Sequence, residues 1–296
     1  MQLAPITKAD VISKSAKLPS FPRIVTKILA TLDDPESNLH DLCDYITHDP
    51  VIAARVLSQA NRAAYRSRST IRDIYTAASL IGMAQIREIS LLSSMAMFVN
   101  GTHEDMPDSY WKHSVAVGVS AHELALHISA PIFSEMALIT GLLHDIGQLW
   151  LHRFCPKAFA ETIQFAFIES VGIEVAEREQ FGVDHAQIGA WLAENWQLPA
   201  NIVAAIRHHH RPEAALNELL VPVVCIAEVL TNALDIGAPV ENRVTSLSSA
   251  ACTVLGLQID DTLQPLLGRM EARSAYANNV FTRYAGRVDN VSPHAV

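Results

Sequence analysis

A histidine and an aspartate stand side by side, His144-Asp145, inside the otherwise apolar run ALITGLLHDIGQLWL from Ala137 to Leu151. Read by its periodicity, the run predicts one buried helix, with Leu138, Gly141, Leu142 and Asp145 on a single face. A carboxylate buried there without a partner costs several kcal/mol or is forced to take up a proton. Asp145 therefore calls for a cation, an ion pair or several hydrogen-bond donors. A divalent metal bridging His144 and Asp145 would satisfy both side chains at once.

The same anomaly recurs on other predicted helices. Ile202, Ala205, Ile206 and His209 fall on one stripe, with His210 adjacent. His185 leads the stripe Ile188, Gly189 and Leu192, and Asp184 with Gln187 predicts a capping box that puts His185 in the first turn. Val221, Val224, Cys225 and Glu228 end an apolar row on an acid, and His113 lies beside Trp111 near a helix start. Any one of these histidines, taken alone, reads more readily as a hydrogen-bonded core or surface residue than as a ligand. Seven such residues on five apolar faces would need seven separate hydrogen-bonding solutions, so one shared metal or polar pocket is the more economical account. Imidazole mixed with carboxylate suits Fe, Mn, Zn or Mg. His48-Asp49 is set aside, because Pro50 follows and makes Asp49 an N-cap. His122, His127 and His152 lack matching partners and read as structural or exposed.

The elements that must carry these residues are helical almost throughout. Helical spacing joins Val25, Ile28, Leu29 and Leu32, then Leu39, Leu42, Cys43 and Ile46. It continues through Ala53, Val56, Leu57 and Ala60, through Ile74, Ala77, Ala78 and Ile81, and through Ile89, Leu92 and Met95. Ser37 is the expected N-cap of the second helix and Gly82 the expected end of the fourth. No useful alternating strand pattern occurs. The expectation is an all-α, two-lobed helical bundle. An N-terminal helix covers 1–16, and one helical lobe covers 17–100. The polar stretch Asn100 to Asp108 marks the boundary, and the lobe holding the histidines covers 108–215. Helices packing on that lobe cover 216–285, and a frayed tail covers 286–296.

Composition limits the function classes. Half the residues are hydrophobic and 18% charged, which is a globular balance. The formal charge of -9 argues against non-specific nucleic-acid binding, which needs Lys and Arg to neutralise phosphates. Arg62, Arg66, Arg68 and Arg72 form a local basic cluster that reads as solvated surface, with an anion or partner site as the alternative. Cys43, Cys155, Cys225 and Cys252 form no CxxC pair. They fit a reducing compartment. The opening MQLAPITKAD lacks a signal-peptide layout, and the longest apolar run, Leu219 to Ala227, is too short to span a bilayer. A cytoplasmic protein that avoids membranes is expected.

These residues together resemble the HDOD (HD-related output domain) family. The likeness rests on Leu18-Pro19, Ile46 to Tyr65 with its Asp49-Pro50 start and its Asn61 and Tyr65, and Ala77 to Gly82. It continues through Trp111 and His113, Gly141 to Asp145, Phe181 to Trp196, Leu198-Pro199 and Ile206 to Pro212. The family is related to metal-dependent HD phosphohydrolases, and many of its members have lost the catalytic residues. By that resemblance the second lobe is HD-like, and His113, His144, Asp145, His185, His209, His210 and Glu228 would be metal ligands. His144 and Asp145 would also be the catalytic pair, and Glu228 would take the place of a usual final aspartate. The resemblance further implies a bacterial-type signalling or regulatory module with a protein partner, a nucleotide or phosphate ligand being possible. The alternative it implies is a metal-dependent phosphohydrolase acting on a nucleotide or phosphate ester. Two departures bear on that alternative. Gln148 stands where many HD phosphohydrolases carry a lysine, and Arg211-Pro212-Glu213 replaces the signature of cyclic di-GMP phosphodiesterases, so that activity is not expected.

Overall fold

The computed structural model describes residues 4–33, 39–64, 70–102, 106–128, 132–237 and 246–285. Ser37, Tyr65, Arg66, Arg68 and the tail 286–296 lie outside the described residues. Among those described, sixteen α-helices and two 3-10 turns occur, and no strand. In chain order the helices are α1 (Lys8–Ser15), α2 (Arg23–Asp33), α3 (Leu39–Thr47), α4 (Pro50–Ala63), α5 (Ile74–Ile81) and α6 (Met83–Asn100). They continue as α7 (Asp108–His127), α8 (Ser134–Leu143), α9 (Ile146–Phe154), α10 (Pro156–Glu169), α11 (Ile173–Phe181) and α12 (His185–Asn195). The last four are α13 (Ala200–His208), α14 (Leu220–Ala233), α15 (Ser249–Leu255) and α16 (Gln264–Ala285). The fold is all-α.

The chain divides into two compact units. One takes Met1–Pro19 and Thr102–Arg283; the other takes Ser20–Gly101 with Tyr284 and Ala285. In the smaller unit, α2 to α6 bury Val25, Ile28, Leu29, Leu42, Cys43, Ile46 and Ile86 completely. Asp49 caps α4 by accepting from the N–H groups of Val51 and Ile52 at 3.0 and 3.1 Å, with Pro50 at the first helical position. Gly82 ends α5 at a φ of 85°, a conformation that costs glycine little. Asn61 ties down the chain beyond α4: its amide donates to the carbonyls of Leu57 and Ile71, and its oxygen accepts from Ile71 N–H. The buried stripe of α4 is Ile52, Val56 and Ala60, while Ala53 and Leu57 are only half-buried. Val56 and Ala60 of the sequence stripe are thus buried, and Ile52 completes the buried face in place of Ala53 and Leu57.

In the larger unit, α7 packs on α8 and α14, and α12 packs on α9, α13 and α1. The α7–α8 crossing is backbone to backbone. A Cβ on Gly118 would stand 2.8 Å from the Leu138 carbonyl oxygen, and one on Gly141 would stand 2.7 Å from the Gly118 Cα. The α9–α12 approach is tighter still, since a Cβ on Gly147 would lie 2.0 Å from the His185 carbonyl oxygen. The N-terminal segment joins this unit through Ile6 N–H, which donates to the Phe181 carbonyl at 2.9 Å, and through Lys8, 2.6 Å from Glu194. The run from Ala137 to Leu151 differs from its sequence reading. It is two helices, and His144-Asp145 is the turn between them. Periodicity carried across the break because Leu142, Leu143, Ile146 and Leu149 are all buried on either side of it.

Candidate metal centre

Asp145 is the hub of the site. It leaves the α8–α9 turn almost wholly buried, at 1% exposure. Its two carboxylate oxygens face different imidazoles. Oδ2 stands 3.3 Å from Nε2 of His144 and 3.9 Å from Nε2 of His113, while Oδ1 stands 3.1 Å from Nε2 of His185 and 3.7 Å from Nε2 of His209. His210, at the turn after α13, brings its Nε2 to 2.9 Å from Nε2 of His185. Glu228, from α14, closes the ring.

Three overlapping donor sets each have all their ligand atoms within 4.8 Å of one another. They are Asp145, His185, His209 and His210; His113, His144 and Asp145; and His144, His209 and Glu228. All seven residues named from the sequence thus meet in one place. Six of them are buried, and His210 is half-buried. The residues set aside in the sequence stay apart from it. His48 hydrogen-bonds the Asp44 carbonyl, His127 is exposed, and His152 packs on Phe159. His122 faces Glu123 at 3.7 Å.

The local geometry aims the rings. His144 Nδ1 is 2.7 Å from the Gly141 carbonyl and His209 Nδ1 is 2.8 Å from the Ile206 carbonyl, so each places a proton on Nδ1 and turns Nε2 inward. Those inward Nε2 atoms of His144 and His209 are buried and make no hydrogen bond. Tyr110 adds a bond from its hydroxyl to the Asp145 carbonyl at 2.9 Å, which pins the turn to α7.

One residue of the site's surroundings escaped the sequence reading. Glu177, on α11, is fully buried, and its Oε2 accepts from both the backbone N–H and the Nδ1 of His185, at 2.7 and 2.6 Å. A signal existed, since Ile173, Glu177 and Phe181 repeat every four residues and so place an acid on an apolar stripe. Asp184 accepts from Gln187 N–H at 2.9 Å and pairs with Arg178, which fixes the N-terminus of α12 just before His185.

The electrostatics follow from burial and from the carboxylates. Burial alone would lower the imidazoles. At His144 the charge and hydrogen bond of Asp145, joined by Glu228 and the Gly141 carbonyl, together outweigh it, and at His185 Glu177 with Asp145 does so; both rings are held above the ordinary histidine value. Burial would raise the Asp145 carboxyl, but His144, His185 and His209 hold it well below the usual range. His210 is pushed well down, first by burial and then by the neighbouring His209 and His185. Burial pushes the Glu177 carboxyl up, the adjacent His185 offsetting only part of it.

Five imidazoles and two carboxylates converge inside a helical bundle, a donor set that could hold a metal ion. This chain belongs to the HDOD domain family, whose sequence model matches residues 18–212. It is similar to an HDOD domain protein of unknown function from Geobacter sulfurreducens, with 23% identity and a TM-score of 0.73 over 94% of this chain and 96% of that one. It is also similar to a proposed phosphohydrolase from Shewanella amazonensis SB2B, with 24% identity and a TM-score of 0.62 over 93% and 98% of the two chains. Both likenesses establish the fold. An uncharacterized protein of Treponema pallidum (strain Nichols) is 25% identical over 89% of this chain. The chain spans about half the length of that curated relative, 52%.

Proposed function

We propose that this chain is an HDOD regulatory module of bacterial signal transduction whose imidazole–carboxylate pocket holds a divalent metal ion. The carrying observation is the pair of buried Nε2 atoms on His144 and His209, both turned toward Asp145 and neither making a hydrogen bond. A buried ring nitrogen left so costs about 1–3 kcal/mol. A shared cation removes that cost for both rings and neutralises the buried acids. His113, His144, Asp145, His185, His209, His210 and Glu228 would hold the metal, and the mixed donors suit Fe, Mn, Zn or Mg.

The regulatory reading is supported by family membership and by Gln148, which brings no cation for a phosphate. It gives the protein a protein partner in a signalling pathway and a cytoplasmic location. No described helix is long and apolar enough to cross a membrane, and Cys43, Cys155, Cys225 and Cys252 are free thiols.

The completeness of the donor set favours a second reading, metal-dependent hydrolysis of a nucleotide or phosphate ester. A bound metal would supply an activated water and polarise the phosphoryl group. This chain's part would be to orient the donors through Gly141, Ile206 and Glu177, and to keep Asp145 ionised.

Elemental analysis tests the first claim. Purified protein reconstituted anaerobically with Fe(II) or Mn(II) is expected to retain at least one equivalent of metal, and Asp145→Ala is expected to lose affinity by more than about tenfold. Wild type that holds no metal after reconstitution would overturn both readings. Hydrolysis of bis-p-nitrophenyl phosphate by wild type, absent in Asp145→Ala, would select the enzyme. Inactivity of the metal-loaded wild type selects the module, and turnover surviving the substitution removes Asp145 from the mechanism.

A further inference from the structure

Glu177 shares no donor set with the candidate ligands, yet it makes two short polar contacts to one of them, His185. Both end on one oxygen. Oε2 receives the His185 backbone N–H at 2.7 Å and lies 2.6 Å from His185 Nδ1. An ionised carboxylate oxygen accepts both hydrogen bonds, with the ring as donor and its hydrogen on Nδ1. Nε2 is then the ring atom that faces inward, 3.1 Å from Asp145 Oδ1 and 2.9 Å from His210 Nε2, where a metal would take the place of its proton.

The three inward imidazoles with anchored Nδ1 atoms are not equivalent. His144 and His209 are held by neutral carbonyls of their own helical turns, three residues back. His185 stands at the first position of its helix, where no preceding turn offers a carbonyl, and a side chain eight residues away does the work instead. A carboxylate makes the ring a stronger electron donor than a carbonyl does. The Gly147–α12 approach keeps His185 against Asp145, and Glu177 fixes which nitrogen it offers.

We propose that Glu177 is the positioning residue for His185, holding it as the Nδ1–H tautomer so that Nε2 binds the metal. The proposal rests on the metal reading of the pocket. The test uses the full chain, labelled with 15N-histidine and loaded with Zn(II), in wild type, Glu177→Gln and Glu177→Ala. Wild type is expected to show a strongly downfield, slowly exchanging imidazole N–H whose nitrogen pattern is that of an Nδ1–H ring, and which disappears in His185→Gln. Glu177→Gln keeps an acceptor oxygen without the charge, and is expected to bind zinc about tenfold more weakly while retaining the N–H signal at a less downfield position. Glu177→Ala is expected to lose the signal and to bind up to about a hundredfold more weakly. If either variant fails to fold, the wild-type spectrum decides alone, because a zinc-loaded His185 protonated on Nε2 overturns the proposal. Variants that load as tightly as wild type with an unmoved N–H signal overturn the role of Glu177 and leave the metal centre standing. A wild type that takes up no zinc, iron or manganese overturns the metal reading itself, and the proposal with it.

Discussion

At the scale of single residues, the molecule is organised by what its buried charges touch. Asp145 is stabilised by imidazoles, and a second buried acid, Glu123 on α7, is stabilised by guanidinium groups. Its Oε2 accepts from Arg269 Nε at 2.9 Å and its Oε1 from Arg273, both on α16, with His122 at 3.7 Å. His122, then the two arginines, outweigh burial and hold the Glu123 carboxyl down at about 2, against an ordinary value of 4.5. A folded-state value below the unfolded one means that the carboxylate stabilises the fold fully above about pH 4.5. That stabilisation is lost as pH falls toward 2. Glu123→Gln is expected to lower stability by about 1–2 kcal/mol at pH 7. This is less than the ~3–5 kcal/mol of a fully buried pair, because both arginines reach solvent. Urea melts of wild type and variant from pH 7 down to pH 3 should show the gap narrowing. A gap that widens on acidification would contradict the assignment. The acids at 145 and 228 were legible in the sequence because each interrupts an apolar stripe; the pairing of Glu123 was not, because its two arginines lie some 150 residues away in the chain.

At the scale of elements, the site is placed by two helix crossings. The Gly118–Gly141 contact brings α7 close enough for His113 to reach the carboxylate at the end of α8, and Gly147 lets α12 carry His185 to the same carboxylate. Gly147→Ala puts a methyl group 2.0 Å from backbone oxygen, so α12 must move as a body. A loss of about 3 kcal/mol or more is expected, at the upper end of overpacking effects, with a parallel fall in metal retention. Gly268→Ala is the contrasting variant. It lies inside α16 with nothing within 4 Å of the added carbon, and should raise stability by about 0.5–1 kcal/mol through helix propensity alone, leaving metal retention unchanged. Thermal melts with metal analysis of both variants check the pair. The break at His144-Asp145 belongs to this scale too. A turn lets the two side chains leave the helical lattice and face the same centre, which adjacent positions in one straight helix, about 100° apart, do not.

At the scale of the whole molecule, a ligand that binds only the folded larger unit stabilises that unit by mass action. Metal at a hundred times its Kd would add about 2.7 kcal/mol. Hydrogen exchange with and without metal is therefore expected to show slower exchange in α7, α8, α9, α12, α13 and α14, which carry or buttress the ligands. Residues 20–101 contribute none of those ligands and should exchange at unchanged rates. Uniform protection of α2 to α6 would mean that the two units unfold together.

The amino-acid sequence by itself determined the helical class, the stripes of α2 and α3, the Asp49 and Gly82 ends, and the seven residues whose polarity is at odds with their apolar neighbours. Those are local properties, set by periodicity and by backbone preferences within a few residues. Only the tertiary structure decided that the seven meet, that Asp145 divides its oxygens between two pairs of imidazoles, and that Glu177 stands behind His185. Such contacts join helices far apart in the chain. They depend on where the glycine crossings let backbones approach, and that distance is a property of the packed helices together.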